Sequence, residues 1–122
     1  MCKPSNISNF LAYAKTCSCK LACKYVEMVN YGECGEDLMN KIRLVDSYIE
    51  EIENYVYACC KDFYQDGVKH FQGLKIIMSK NNSLYLDSQG QKIKIETSAL
   101  NCLTEDQVCE LASRIKSICT NC

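Results

Sequence analysis

The chain has 122 residues, with 14 basic and 15 acidic side chains for a formal net charge of −1, and it carries 11 cysteines, one proline and one histidine. A chain of this length forms one domain and buries about two-thirds of its unfolded surface, so a core can form without covalent staples. The near-zero charge excludes bulk attraction to nucleic acid or an anionic membrane, and the apolar runs are too short for a transmembrane helix.

The opening segment, MCKPSNISNFLAYAK, lacks the apolar run and small-residue cleavage site of a secretory signal. Cys2 follows no lipobox, and the terminal TNC is not a prenylation sequence. The expected setting is therefore a reducing cytosol in which the cysteines stay thiols, and their odd number leaves at least one unpaired in any intrachain scheme.

A first helix is predicted from about Ser8 to Asn30. Phe10, Ala14, Cys17, Leu21, Tyr25 and Met28 recur at steps of four and three, which places them on one helical face. Gly32 supplies the stop, because it can take the left-handed conformation past a helix end. A second helix is predicted over about Glu36 to Asp62. Leu38, Ile42, Val45, Ile49, Ile52, Val56 and Cys59 form an unbroken heptad seam there. Glu36 and Asp37 suit its positive N-terminal end, Asp46, Glu50, Glu51 and Glu53 read as a solvated face, and Asp66-Gly67 marks the exit.

From Leu74 to Thr97 the period changes to two. Leu74–Met78, Leu84–Leu86 and Lys92–Thr97 read as three strands, with turns at Asn81-Asn82 and Asp87-Ser88-Gln89-Gly90. They form an antiparallel meander that needs helical cover on one face. A last helix follows. Thr104 and Gln107 make a capping box, Leu103 and Val108 a hydrophobic staple, and Val108, Leu111, Ala112, Ile115, Ile118 and Cys119 the buried stripe. The predicted class is α+β: a three-helix core with a small meander inserted before the last helix.

The cysteines admit four kinds of chemistry. Cys119-x-x-Cys122 has zinc-like spacing, and Cys19 and Cys23 share a helix face at i and i+4, so these four are the best candidate metal ligands. Redox catalysis fits poorly, because this CxxC sits at a helix C-terminus, where the dipole opposes a thiolate. Cys17, Cys59 and Cys119 lie on apolar stripes as small hydrophobes, with Cys102 packed beside Leu100 and Leu103. Cys19, Cys23 and Val26 remain on a second face of the first helix, which implies cover by the sheet or another subunit. Tyr48, Tyr55 and Tyr57, off the heptad seam, are further interface candidates.

No reaction chemistry is legible. His70 has no local support for a nucleophile–histidine arrangement, and no phosphate-binding or metalloprotease motif occurs. Lys75, Lys92 and Lys94 make a local basic patch without the aromatic array of a nucleic-acid binder.

Two stretches carry a resemblance. CKLACKYVEMVNYGECGEDLMNKIRLVDSYIEEIENY, residues 19 to 55, and NCLTEDQVCELASRIKSIC, residues 101 to 119, resemble small cysteine-containing proteins encoded in the structural gene blocks of tailed bacteriophages, including crAss-like phages. The resemblance implies a virion component, such as a neck or head–tail connector ring subunit or a capsid accessory protein. Such a protein is made in the host cytoplasm and has other virion proteins and copies of itself as partners. It implies no catalytic residue, cofactor, nucleic acid, membrane or small-molecule substrate. The alternative expectation is a small zinc-binding regulatory or adaptor domain using Cys19, Cys23, Cys119 and Cys122.

Overall fold

A computed structural model describes residues 7–63, 75–78, 81, 83–88 and 91–119. Among these residues there are three α-helices, α1 (Ile7–Asn30), α2 (Glu36–Phe63) and α3 (Glu105–Cys119), with strands β1 (Lys75–Met78), β2 (Leu84–Ser88) and β3 (Gln91–Lys94) between α2 and α3. A short 3-10 helix, Thr97–Leu100, leads into α3. The architecture is the α+β arrangement read from the periodicities. The expectations placed on Tyr64, Asp66-Gly67, His70, Leu74, Asn82, Gln89-Gly90 and Cys122 lie outside the described residues.

The α1–α2 turn is built on two glycines with different tasks. Gly32 has φ +75°, and its N–H donates to the Val29 carbonyl at 3.0 Å while Glu33 N–H donates to Met28 at 2.9 Å. These two bonds are a Schellman closure, which requires the left-handed backbone that glycine adopts without Cβ strain. Gly35 is buried, and a Cβ there would lie 2.6 Å from the Tyr25 ring, so the ring rests directly on the backbone. Gly32→Ala is expected to cost about 1 kcal/mol, from backbone strain alone, because nothing lies near its Cβ position. Gly35→Ala displaces the Tyr25 ring, and Tyr25→Ala should relieve most of its cost. A double-mutant cycle by urea unfolding distinguishes the two glycines: coupling to Tyr25 is expected for Gly35 and absent for Gly32.

At α3, Gln107 N–H donates to Thr104 Oγ1 at 3.3 Å, and Leu103 and Val108 are both buried, as the capping box and staple require. The sheet has the order β1-β2-β3, antiparallel throughout. Ile76 pairs with Leu86, Met78 with Leu84 and Leu86 with Ile93. These apolar residues therefore share one face, toward the core. Ser88 pairs with Gln91, so Asp87 and Ser88, expected in the turn, belong to β2 instead. The physical reason is that a two-residue connection closes the hairpin and lets pairing run up to the turn. Asp87 stands opposite Lys75 and Lys92 on the other face, and its Oδ1 is buried with no hydrogen-bond partner.

All three helices, the sheet and the 3-10 helix contribute to one core cluster. Its buried members on α1 end at Leu21, and those on α2 begin at Val45. Helix lengths explain this limit. At 1.5 Å per residue α1 and α2 extend about 36 and 42 Å, whereas α3 extends only about 22 Å. The α3 C-terminus lies against Cys17, midway along α1, so α3 leaves the far end of the hairpin uncovered. There Tyr25, Met28, Leu38, Met39 and Ile42 are half-buried, although all but Met39 lie on the predicted stripe or seam and continue its period.

Among the described residues, two disulfides join the layers. Cys17–Cys119 ties α1 to the end of α3 across 102 residues, and Cys59–Cys102 ties α2 to the segment before α3 across 43. The expectation of thiols throughout is therefore overturned. Stripe positions bury Cys17 and Cys59 as anticipated, but the packing also brings each against a partner, with Cα–Cα distances of 5.9 and 5.6 Å. Those separations suit a disulfide. Cys102, expected to be packed, is exposed and bonded to Cys59.

Candidate functional site

The best-formed surface feature lies on α1 and along its junction with α2. Helix α1 presents its inner face to α2 and α3, burying Phe10, Leu11, Ala14, Cys17 and Leu21. Cys19, Cys23 and Val26 lie roughly opposite, at 100° per residue, and all three are exposed, Val26 at 55%. Ala22 and Val29 are exposed at the edge of this face. They were not singled out from the sequence. The signal that finds them is the mismatch between a 24-residue α1, a 28-residue α2 and a 15-residue α3, which leaves the hairpin end without a third layer among the described residues.

Beside Cys19 runs an open groove of about 410 Å³ between α1 and α2, lined by Lys15, Ser18, Asp46, Ile49, Glu50 and Glu53. Lys15 Nζ meets Glu53 Oε1 at 2.9 Å, and the Ser18 hydroxyl donates to Asp46 Oδ1 at 2.6 Å. These contacts fix the pitch of α1 against α2. They also use two of the carboxylates that had read as a wholly solvated face. Glu50 is exposed, so the groove is net acidic around a single lysine.

The structure does not bring the candidate tyrosines onto this face. Tyr48, Tyr55 and Tyr57 are half-buried on α2 and pack against the core. The Arg114 guanidinium of α3 sits 5.7 Å from the centre of the Tyr48 ring, a cation–π contact between α2 and α3. The Tyr48 ring thus helps to join α2 and α3. The metal candidates are not assembled either: Cys119 is bonded to Cys17, while Cys19 and Cys23 are exposed on α1. Among the described residues, no group of three or more His, Cys, Asp or Glu side chains is placed to hold a metal ion.

Cys19, Cys23 and Cys34 are exposed thiols, whereas Cys60 is a buried one. Burial pushes the Cys60 thiol up to about 11 from its ordinary 9.0. An unfolded chain loses this proton first, so between about pH 9 and 11 the folded state binds more protons and its stability falls as pH rises. Below pH 9 the group contributes no pH dependence. Cys60→Ala is expected to flatten that alkaline slope in urea titrations. Alkylation of the native chain at pH 8 should modify Cys19, Cys23 and Cys34 while sparing Cys60.

Comparison with protein-family models, with curated proteins and with solved structures finds no match to this chain. The fold and surface define a disulfide-bridged α+β domain with an uncovered two-helix end. Among the described residues, no helix is long and apolar enough to cross a membrane.

Proposed function

We propose that this chain is a non-enzymatic structural subunit of a larger assembly, and more specifically a component of a bacteriophage virion, in a neck or connector ring or as a capsid accessory protein. The observation that carries the reading is the uncovered end of the α1–α2 hairpin. The fully buried residues of the hairpin stop at Leu21 and Val45, and beyond them Val26 and Val29 on α1 and Tyr31 in the following turn are exposed. Apolar side chains on a helical projection from a packed body are suited to insertion against a neighbour.

Two further features support an assembly role. The disulfides cross between layers, so they resist separation of the helices when a neighbour pulls on the projection. A virion completes its life outside a reducing cytosol, and virion surfaces are among the settings where disulfides persist. The binding partners in this reading are other virion proteins and further copies of the chain.

Quantitative mass spectrometry of particles purified from the source culture tests the proposal. The chain is expected at a fixed ratio to the particle's other structural proteins. Recovery solely from the non-particulate fraction overturns the reading.

A further inference from the structure

The geometry points to the outer face of α1 as a self-contact, in which two copies of the chain pack their first helices antiparallel about a two-fold axis at Cys23. The inference deepens the assembly role and rests on it, by naming one partner as a second copy.

The argument starts from the pattern on the exposed face. Cys23 lies at its centre, with Cys19 and Val26 on one side of the midline and Lys20 and Glu27 on the other. Lys20 and Glu27 are seven residues apart, two helical turns, and so project from nearly the same flank. Both are exposed, and neither has an ion-pair partner among the described residues.

A two-fold axis perpendicular to the helix and lying in the contact plane maps each flank onto the same flank of the partner while reversing its direction. With the axis at Cys23, a residue a given number of positions before 23 faces one the same number after it. Lys20 of one copy then meets Glu27 of the other, and this pair occurs twice. On the opposite flank Val26 packs against Cys19 of the second copy. Cys23 meets its own equivalent on the axis. Lys24 lies 100° around the helix from Cys23, outside the contact. A parallel two-fold would instead set the Lys20–Glu27 flank of one copy against the Cys19–Val26 flank of the other and leave both charges without an opposite charge across the contact, so charge pairing selects the antiparallel form.

The contact spans about three turns of each helix and is smaller than the roughly 1,200 Å² of total burial that marks the lower end of stable interfaces. It is therefore weak in isolation, suited to a repeated contact in an assembly, and best read by covalent trapping.

The experiment uses the purified full chain with its native disulfides, exposed to oxidised glutathione. A Cys23 thiolate attacks the glutathione disulfide and releases one glutathione thiolate. The Cys23 thiolate of the second copy then displaces the other, so the two electrons removed from the protein thiols reduce one glutathione disulfide to two thiols. Non-reducing electrophoresis with peptide mass spectrometry is expected to show a dimer bonded Cys23 to Cys23, formed at least tenfold faster than any dimer through Cys34. Lys20→Glu and Glu27→Lys should each slow trapping at least fivefold, and the double variant K20E/E27K should restore it to within twofold of the original rate. Circular dichroism of each variant verifies that these exposed substitutions leave the fold intact.

Equal trapping through Cys34, a K20E rate equal to the original, or failure of the double variant to recover overturns the self-contact. Absence of any dimer also overturns it and leaves the face to a helix of another protein. Particle composition tests the assembly role separately, so either conclusion can fail while the other stands.

Discussion

Reducing both disulfides is expected to lower the thermal midpoint by roughly 10–20 °C at neutral pH, with the helical signal retained at low temperature. Cys17–Cys119 spans 102 residues and Cys59–Cys102 spans 43. Chain-entropy arithmetic gives about 5 and about 4 kcal/mol for closing loops of those sizes in the unfolded chain. The second loop is nested within the first, so the two contributions overlap and their sum is an upper bound. Retention of structure follows from the core, most of whose buried side chains, including Leu11, Leu21, Ile52, Leu86 and Ile115 at about 2% exposure or less, are hydrocarbon.

The paired variants Cys17→Ala with Cys119→Ala, and Cys59→Ala with Cys102→Ala, separate the bridges. Loop length alone makes the first pair costlier, by only about 0.8 kcal/mol. Because the effect acts on the unfolded chain, urea unfolding of the reduced protein should show a larger slope as well as a lower midpoint. A reduced protein with an unchanged midpoint would refute both bridges. Labelling of Cys17, Cys59, Cys102 or Cys119 by a thiol reagent in the unreduced native protein would do the same for the residue concerned.

The second large effect is expected at Ile52. It is fully buried at the middle of α2, on the seam between Ile49 and Val56. Ile52→Ala removes three carbons where layers of helix meet and leaves a cavity that rigid neighbours fill incompletely, costing about 3–4 kcal/mol. In a domain whose total stability is of order 5–15 kcal/mol, this loss is large enough to unfold a substantial part of the reduced protein at 37 °C. Leu44→Ala supplies the contrast. Leu44 is on the same helix but 47% exposed and outside the core cluster, so its cost should stay below about 1 kcal/mol. Urea midpoints of the two variants, with unchanged slopes, test the pair directly. Equal costs would mean that α2 does not present the face assigned to it.

Much of the fold was legible because its determinants are local. The seam from Leu38 to Cys59 follows helical geometry without interruption, and the alternation from Lys92 marks a strand with one apolar face, although pairing ends at Lys94 and the expected strand end at Thr97 belongs to the 3-10 helix instead. Gly32, Thr104 and Gln107 act through backbone hydrogen bonds that reach no more than five residues. The candidate surface was partly legible for the same reason: Cys19, Cys23 and Val26 fall off the buried stripe by simple counting. What they face was not legible, and the tyrosines show why. Tyr48 and Tyr55 lie off the seam, yet α3 packs on that side of α2 and draws Tyr48 under Arg114.

The sequence by itself determined which segments are helix or strand, where two helices begin or end, and which side of each is apolar, since all of these arise from interactions within a turn or two. Only the tertiary structure decided the fate of the cysteines. Spacing in the chain carries no information about partners 43 or 102 residues away, whereas the crossing of three helices places those sulfurs together. Tertiary packing also decided where the seam stops being a core. The period continues from Val45 back to Leu38, but α3 is too short to cover it, and the same apolar pattern changes there from fully buried to half-buried.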